Sequence, residues 1–159
     1  MIILSIDCGF EKVGYSIFDK NKRLATGLSY VNSGLITTSK SNTLEKRFEI
    51  IHQSLSNIVL KYKPTLIILE QLFFFKNQKT VIGVAQAQGV ILLLASQKNI
   101  PVEFLTPLQI KQIVTGYGNA DKKSVQKMLK LLLGNKAVFK TDDEADAVAC
   151  GLAYCYLNK

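Results

Sequence analysis

Two short apolar runs, Ile2 to Ile6 and Thr65 to Leu69, each stop at a single carboxylate, Asp7 and Glu70. A run with almost no polar alternation reads as a strand covered on both faces, so the chain must place helices above and below a sheet. In open sheets of this kind, sites form at the carboxyl ends of the strands, where both acids stand. Gly14 to Phe18 and Leu28 to Thr37 read as two more strands, with the polar turn Asp19-Lys20-Asn21-Lys22 between them, so the chain opens as an antiparallel meander. From Leu44, apolar residues at 44, 48, 51, 55, 58 and 62 step by three or four. They predict a long amphipathic helix with an Asn42/Glu45 capping box and a stop at Pro64. A second long helix is expected over Asn77 to Lys98, a fifth strand over Val102 to Leu105, helices over 107–115 and 121–133, and a last helix from near Thr141. The sum is an α/β fold with a mixed sheet of about five strands and helices on both faces. A chain of 159 residues fits a single domain spanning 1–159.

The last helix opens Thr141-Asp142-Asp143-Glu144-Ala145-Asp146. Asp143 and Asp146, three apart, share a helix face with small apolar residues such as Ala147 and Cys150. Two readings stand side by side. Acids favour the first turn of a helix, and Thr141 with Glu144 can form a capping box. Alternatively, the face packs near the strand ends and brings Asp143 and Asp146 to Asp7 and Glu70. Four converging carboxylates repel one another unless a divalent cation joins them. Oxygen-only ligands favour Mg²⁺, or Mn²⁺, over zinc. Two such ions about 4 Å apart activate water and stabilise a leaving 3′ oxygen, which is the logic of two-metal phosphodiester hydrolysis. Gly9 and Gly14 flank the first turn and are expected to let backbone approach a phosphate or metal there.

Charge points to the substrate. Twenty Lys+Arg stand against twelve Asp+Glu, a net charge of +8 that suits a polyanion-binding surface. Between Lys98 and Lys140, eight lysines, Lys111, Lys122 and Lys123 among them, meet two acids, Glu103 and Asp121. Such asymmetry fits a surface that tracks phosphates. Cys8, Cys150 and Cys155 show neither CxxC nor Cys/His spacing and read as reduced thiols, hence a cytoplasmic protein. The first residues lack the basic region of a signal peptide, and no apolar stretch approaches the ~20 residues of a membrane span, so no membrane partner is expected. His52 is assigned no role.

Four patches resemble the RuvC Holliday junction resolvases: Ile3 to Gly9 with Gly14-Tyr15; Leu69 to Phe73 with Lys76-Asn77; Ile110-Lys111-Gln112 through Gly116 to Lys122; and Asp143 to Ala147. Their order and spacing span nearly the whole chain. The resemblance implies a ribonuclease H-like fold and a homodimer that nicks two strands of like polarity at a four-way DNA junction with Mg²⁺, serving recombination and repair, with a branch-migration motor as a further partner. It places Asp7, Glu70, Asp143 and Asp146 on the family's catalytic, metal-holding acids, with two ions per site. Lys111 and Lys122 fall on positions that assist catalysis or contact DNA, and Phe73 on an aromatic near the junction centre, where unstacked bases can stack. Lys76 and Lys123 join the expected DNA contacts. The small residues Gly83, Ala85, Ala87 and Gly89 of the second long helix fall on the family's dimer interface; tight packing on the protein's own sheet is the other reading. Cys8 stands where the family usually has proline and Ser5 where glycine is common, and neither change removes a ligand. A broader branched-DNA nuclease of the same fold and a junction-binding protein that does not cut are the alternatives.

Overall fold

Ile2 to Asp7 forms strand β1, and its residues point alternately to two different helix layers, which is why the run is apolar throughout. The computed structural model describes residues 1–20, 29–72, 78–134 and 139–158. In chain order the elements are β1 (Ile2–Asp7), β2 (Lys12–Asp19), β3 (Ser29–Thr37), α1 (Leu44–Tyr62), β4 (Leu66–Glu70), α2 (Gln78–Gln97), β5 (Val102–Leu105), α3 (Pro107–Thr115), α4 (Lys122–Leu133) and α5 (Asp142–Leu157). The sheet order is β3-β2-β1-β4-β5. The β1–β2 and β2–β3 pairs are antiparallel, while β4 runs parallel to both β1 and β5.

Register assigns the faces. Ile3, Leu66, Ile68 and Leu105 pack with α3, α4 and α5 in one core; Leu4, Ile6, Ile67 and Leu69 pack with α1 and α2 in the other. By the same period of two, Asp7 follows Ile3 and Ser5 onto the α5 side, and Glu70 follows Leu66 and Ile68 there. Ile6 pairs with Leu69, so the two acids end neighbouring parallel strands. A slip of one residue would turn either acid to the α1/α2 layer.

Helix α5 crosses the sheet closely because the residues between them are small. Buried Ala145, Ala149 and Ala153 line its inner face. Ser5 and Ser16, opposite each other on β1 and β2, join at 2.6 Å and reach the Ala147 carbonyl at 2.8 and 3.1 Å. Two hydroxyl protons serve these three contacts, so one serine donates to Ala147 while the other donates to it. A Cβ at Gly151 would overlap Ser5 Oγ and press on the Phe18 ring at 2.7 Å. At Gly14, opposite Asp7, a Cβ would overlap the Asp143 carbonyl. Gly14 therefore does admit a close backbone, that of α5. Gly9 is required by its own turn, where a Cβ would overlap the Lys12 carbonyl. Backbone against backbone has little room to relax, so Gly14→Ala is expected to cost about 2–3 kcal/mol and lower the melting midpoint by roughly 5–10 °C, measured by calorimetry. An unchanged midpoint would show that α5 is not seated on Gly14.

Several ends differ from expectation. The cap of α1 is Thr43, whose hydroxyl accepts from Lys46 N at 3.4 Å, and not Asn42 with Glu45. The helix starts one residue later than that box requires, which places Glu45 at the second helical position. It ends at Lys63, in the left-handed conformation just before Pro64. Asp121 caps α4 from outside it, accepting from Ser124 N, so the helix starts at Lys122. In α2 the small residues divide: Ala87 is buried in the protein's own core and Gly83 lies under the Phe10 ring, whereas Ala85 and Gly89 face outward with Ile82 and Leu93. Among the described residues no helix is long and apolar enough to cross a membrane.

Candidate active site

Asp7 and Glu70 leave the sheet into a cleft closed by α3, α4 and α5. One part, about 200 Å³, is lined by Glu70, Pro107, Ile110, Lys111, Lys122 and Asp146; the adjoining part is lined by Asp7, Cys8, Glu70 and Asp146. Three predicted acids thus share one cleft. The fourth, Asp143, sits one turn earlier on α5 with its carbonyl on Gly14, close enough to act on Asp7.

Their electrostatics follow from that crowding. Burial lifts the Asp7 carboxyl from an ordinary 3.8 to about 8, helped by Glu70, then Asp146, then Asp143, with Lys122 opposing. Burial also lifts Glu70 from 4.5 to about 7, with Asp146 adding and Lys111 and Lys122 opposing. Asp146 is raised chiefly by burial, against the pull of Lys122. Lys122 Nζ lies 3.3 Å from Asp146 Oδ2 and 3.8 Å from Asp142 Oδ2. Burial of Cys8 pushes its thiol up, and the neighbouring Asp7 charge adds to this. The thiol is inert at neutral pH and a poor candidate for a metal ligand.

Among the described residues, no three Asp, Glu, His or Cys side chains are gathered tightly enough to hold an ion as they stand. The donor set nevertheless suits a hard divalent cation. It is all carboxylate and partly buried, and burial with the crowding of the acids makes Asp7 and Glu70 hold protons well above the ordinary carboxylate range. A cation would displace those protons and offset the repulsion that keeps the acids apart.

Of the expected DNA contacts, Lys111 lines the cleft beside Glu70, and Lys122 stands at its mouth. Lys123 is exposed next to it on the first turn of α4. Phe73 and Lys76 lie outside the described residues. His52 meets Gln97 across α1 and α2 at 3.2 Å, far from the acids in sequence and in fold.

One part of the site escaped sequence reasoning. Arg47 of α1 is buried; its Nε donates to Thr38 Oγ1 at 2.9 Å, its Nη2 donates to the Phe10 carbonyl at 3.1 Å, and its guanidinium lies 3.4 Å over the Phe10 ring. Thr38 also donates to the Phe10 carbonyl and, through its N–H, to that of Glu11. The turn that follows Asp7 is therefore anchored from two elements distant in sequence. The visible signal was a lone arginine at Arg47 between Leu44, Phe48 and Ile51, on the apolar face of a helix.

A mixed sheet in this order, with acids ending two neighbouring parallel strands and a third acidic element crossing them on α5, defines the ribonuclease H-like class of nucleases. Residues 3–155 match the model of the family described as crossover junction endodeoxyribonuclease RuvC. The chain belongs to the RuvC family and is an endodeoxyribonuclease. It is 48% identical over 151 residues to the RuvC of Fusobacterium nucleatum, covering 94% of this chain and 77% of that one. With the RuvC of Thermosipho melanesiensis it shares 41% identity over 155 residues, covering 98% and 96% of the two chains. The structure of Thermus thermophilus RuvC in complex with Holliday junction substrate superimposes with a TM-score of 0.89 at 25% identity, covering 99% of this chain and 94% of that one.

Proposed function

We propose that this chain resolves four-way DNA junctions by metal-dependent phosphodiester hydrolysis, in recombination and repair, and that Asp7, Glu70, Asp143 and Asp146 are its catalytic acids. The observation that carries the reading is the convergence of Asp7, Glu70 and Asp146 in one cleft, with Asp143 close by and Lys111 and Lys122 at the walls. The four acids would hold two divalent cations, Mg²⁺ or Mn²⁺. Those cations supply Lewis acidity to a water nucleophile and to the leaving 3′ oxygen. The residues around them do the rest. Pro107 and Ile110 narrow the cleft and limit water around the reacting phosphate. Lys111, beside Glu70, is placed to hold a non-bridging phosphate oxygen. Lys122 offsets part of the negative charge of Asp146 and is free to turn to phosphate once that charge is met otherwise. Phe73, Lys76 and Lys123 complete the proposed DNA contacts.

One nuclease domain spans 1–159 in this reading, and two copies pair through the outward face of α2, where Ile82 is 62% and Leu93 56% exposed and nothing lies within 4 Å of a Cβ at Gly89. Paired sites match a junction with two strands of like polarity to cut. A branch-migration motor is the expected partner and the cytoplasm the expected compartment.

The test is to incubate the protein with labelled four-way junctions and with linear duplex of the same sequence, in Mg²⁺ or chelator. Paired, symmetric, ligatable nicks only in the junction with Mg²⁺ are expected. Cutting of flaps or single strands instead would replace the reading with a broader nuclease, and tight binding without cutting with a junction-binding protein. The same substrates give a prediction on salt. Junction affinity falls with ionic strength at a log–log slope of about −0.7 to −0.9 per neutralised phosphate, and removing one lysine that contacts a phosphate shallows the slope by about one. A flat salt response would remove the basic surface from the site.

A further inference from the structure

The acidic run of α5 contains four carboxylates, and the function proposed above uses two of them. We propose that Glu144, with Ser33 of β3, is a positioning pair that locks the first turn of α5 and so fixes where Asp143 and Asp146 stand. The inference rests on the reading of those two as catalytic acids.

Glu144 is buried, 6% exposed. Its Oε1 accepts the Ser33 hydroxyl at 2.5 Å, and its Oε2 accepts the Lys140 N–H at 3.0 Å. Ser33 has one hydroxyl proton, and a carboxylate only accepts, so Tyr30 Oη must donate to Ser33 Oγ at 2.6 Å. The result is a relay from Tyr30 through Ser33 to Glu144, across the edge of the sheet and onto the helix. In a capping box the third helical residue reaches back to the N–H of the cap itself. Here half of that box is present, Thr141 Oγ accepting from Glu144 N at 3.2 Å, but the carboxylate reaches Lys140 and β3 instead. A local cap has become a tertiary tie.

Asp142 holds the opposite side. Its Oδ1 accepts from Gln126 Nε2 of α4 at 2.9 Å, and its Oδ2 faces Lys122. Between the two ties, the Asp143 carbonyl rests on Gly14 of β2. The first turn is thus held from β3, α4 and β2 at once. Successive residues of a helix differ by about 100° in direction, so a turn by one residue would exchange a holding acid for a cleft-facing one. The holding position requires a carboxylate. A glutamine at 144 has one acceptor oxygen for the two donors Ser33 and Lys140, so keeping both contacts would require its amide N–H to face Ser33 and the Tyr30–Ser33 relay to reverse.

The test uses the full chain and four variants: Ser33→Ala, Ser33→Thr, Glu144→Gln and the Ser33→Ala/Glu144→Gln double, with Asp143→Asn as a control. Mn²⁺ affinity of the DNA-free protein is read from the free-ion electron paramagnetic resonance signal, at least 10 °C below each melting midpoint. Single-turnover cleavage and junction affinity in chelator are measured beside it. Glu144→Gln and Ser33→Ala are each expected to weaken Mn²⁺ binding and slow cleavage by roughly tenfold with junction affinity unchanged, the range typical of residues that orient metal ligands. The double variant should be no worse than Glu144→Gln alone, and Ser33→Thr, which keeps the hydroxyl, should behave as the parent. Lower midpoints with unchanged Mn²⁺ affinity and cleavage would reduce the pair to fold stability and overturn the inference. If Asp143→Asn itself keeps parental Mn²⁺ affinity and cleavage, it is the reading of the catalytic acids that fails.

Discussion

Asp7→Asn is expected to slow junction cleavage by on the order of a thousandfold or more while leaving junction affinity in chelator within about twofold of the parent. Asparagine has nearly the same shape, so the β1 strand, its pairing with Gly14 and the seat of α5 should survive. The negative charge at the junction of β1, β4 and α5 is lost, and with it the strongest reason for a divalent cation to settle there. Asp7 is the acid on which the other three converge: Glu70, Asp146 and Asp143 all act on its ionisation. Transition-state stabilisation by a bound cation amounts to several kcal/mol, and each 1.36 kcal/mol is tenfold in rate. Binding, in the proposed reading, rests on lysines and not on the Asp7 carboxyl, so it should not follow. Single-turnover cleavage and a filter-binding titration decide the matter. Near-parental cleavage would remove Asp7 from the site; equal losses of cleavage and binding would make its role structural.

The acids at the strand ends were legible because strand periodicity carries three-dimensional information: once Ile3 and Leu66 face α5, Asp7 and Glu70 must face it too. The acidic run of α5 was legible only in part. Its i,i+3 spacing marks Asp143 and Asp146 as one face, but which acids meet the sheet and which meet their neighbours depends on how the helix is rotated. That rotation is set by Gly14, Ser5, Ser16 and Ser33, residues remote in sequence whose partners a linear pattern does not reveal. Ser5 illustrates the point. As a departure from glycine inside an apolar run it was noticeable, but its meaning lies in Ser16 and the Ala147 carbonyl. The anchor from Arg47 to Phe10 escaped for the same reason, and the Asn42 cap failed because Thr43, one residue on, caps the helix with its own hydroxyl.

The second large effect is expected in stability. Without divalent cations, the protein should lose stability as pH rises from about 5 to 8.5. Asp7 titrates near 8 in the folded chain against an ordinary 3.8, Glu70 near 7 against 4.5, and Asp146 is raised as well. Between these limits the folded state holds protons that the unfolded state has released, so the unfolded state binds fewer protons and the unfolding free energy must fall with rising pH. The stability these groups contribute is fully present below about pH 4 and is lost as pH passes 7 to 8. At 1.36 kcal/mol for each unit of pKa difference, the loss is on the order of several kcal/mol, or about ten degrees in melting midpoint for a chain of this length. Mg²⁺ or Mn²⁺ at millimolar concentration should flatten the profile, because a cation held by the folded acids replaces the protons and stabilises that state by mass action. Asp7→Asn should flatten it without any cation, since the carboxyl with the largest rise is gone, so this variant should be more stable than the parent at pH 8 in chelator and less responsive to Mn²⁺. Melting curves of both proteins across pH, with chelator and with Mn²⁺, give the answer. A parental midpoint in chelator that is level from pH 5 to 8.5 would mean that water reaches the acids freely and that no cation is needed to hold them together.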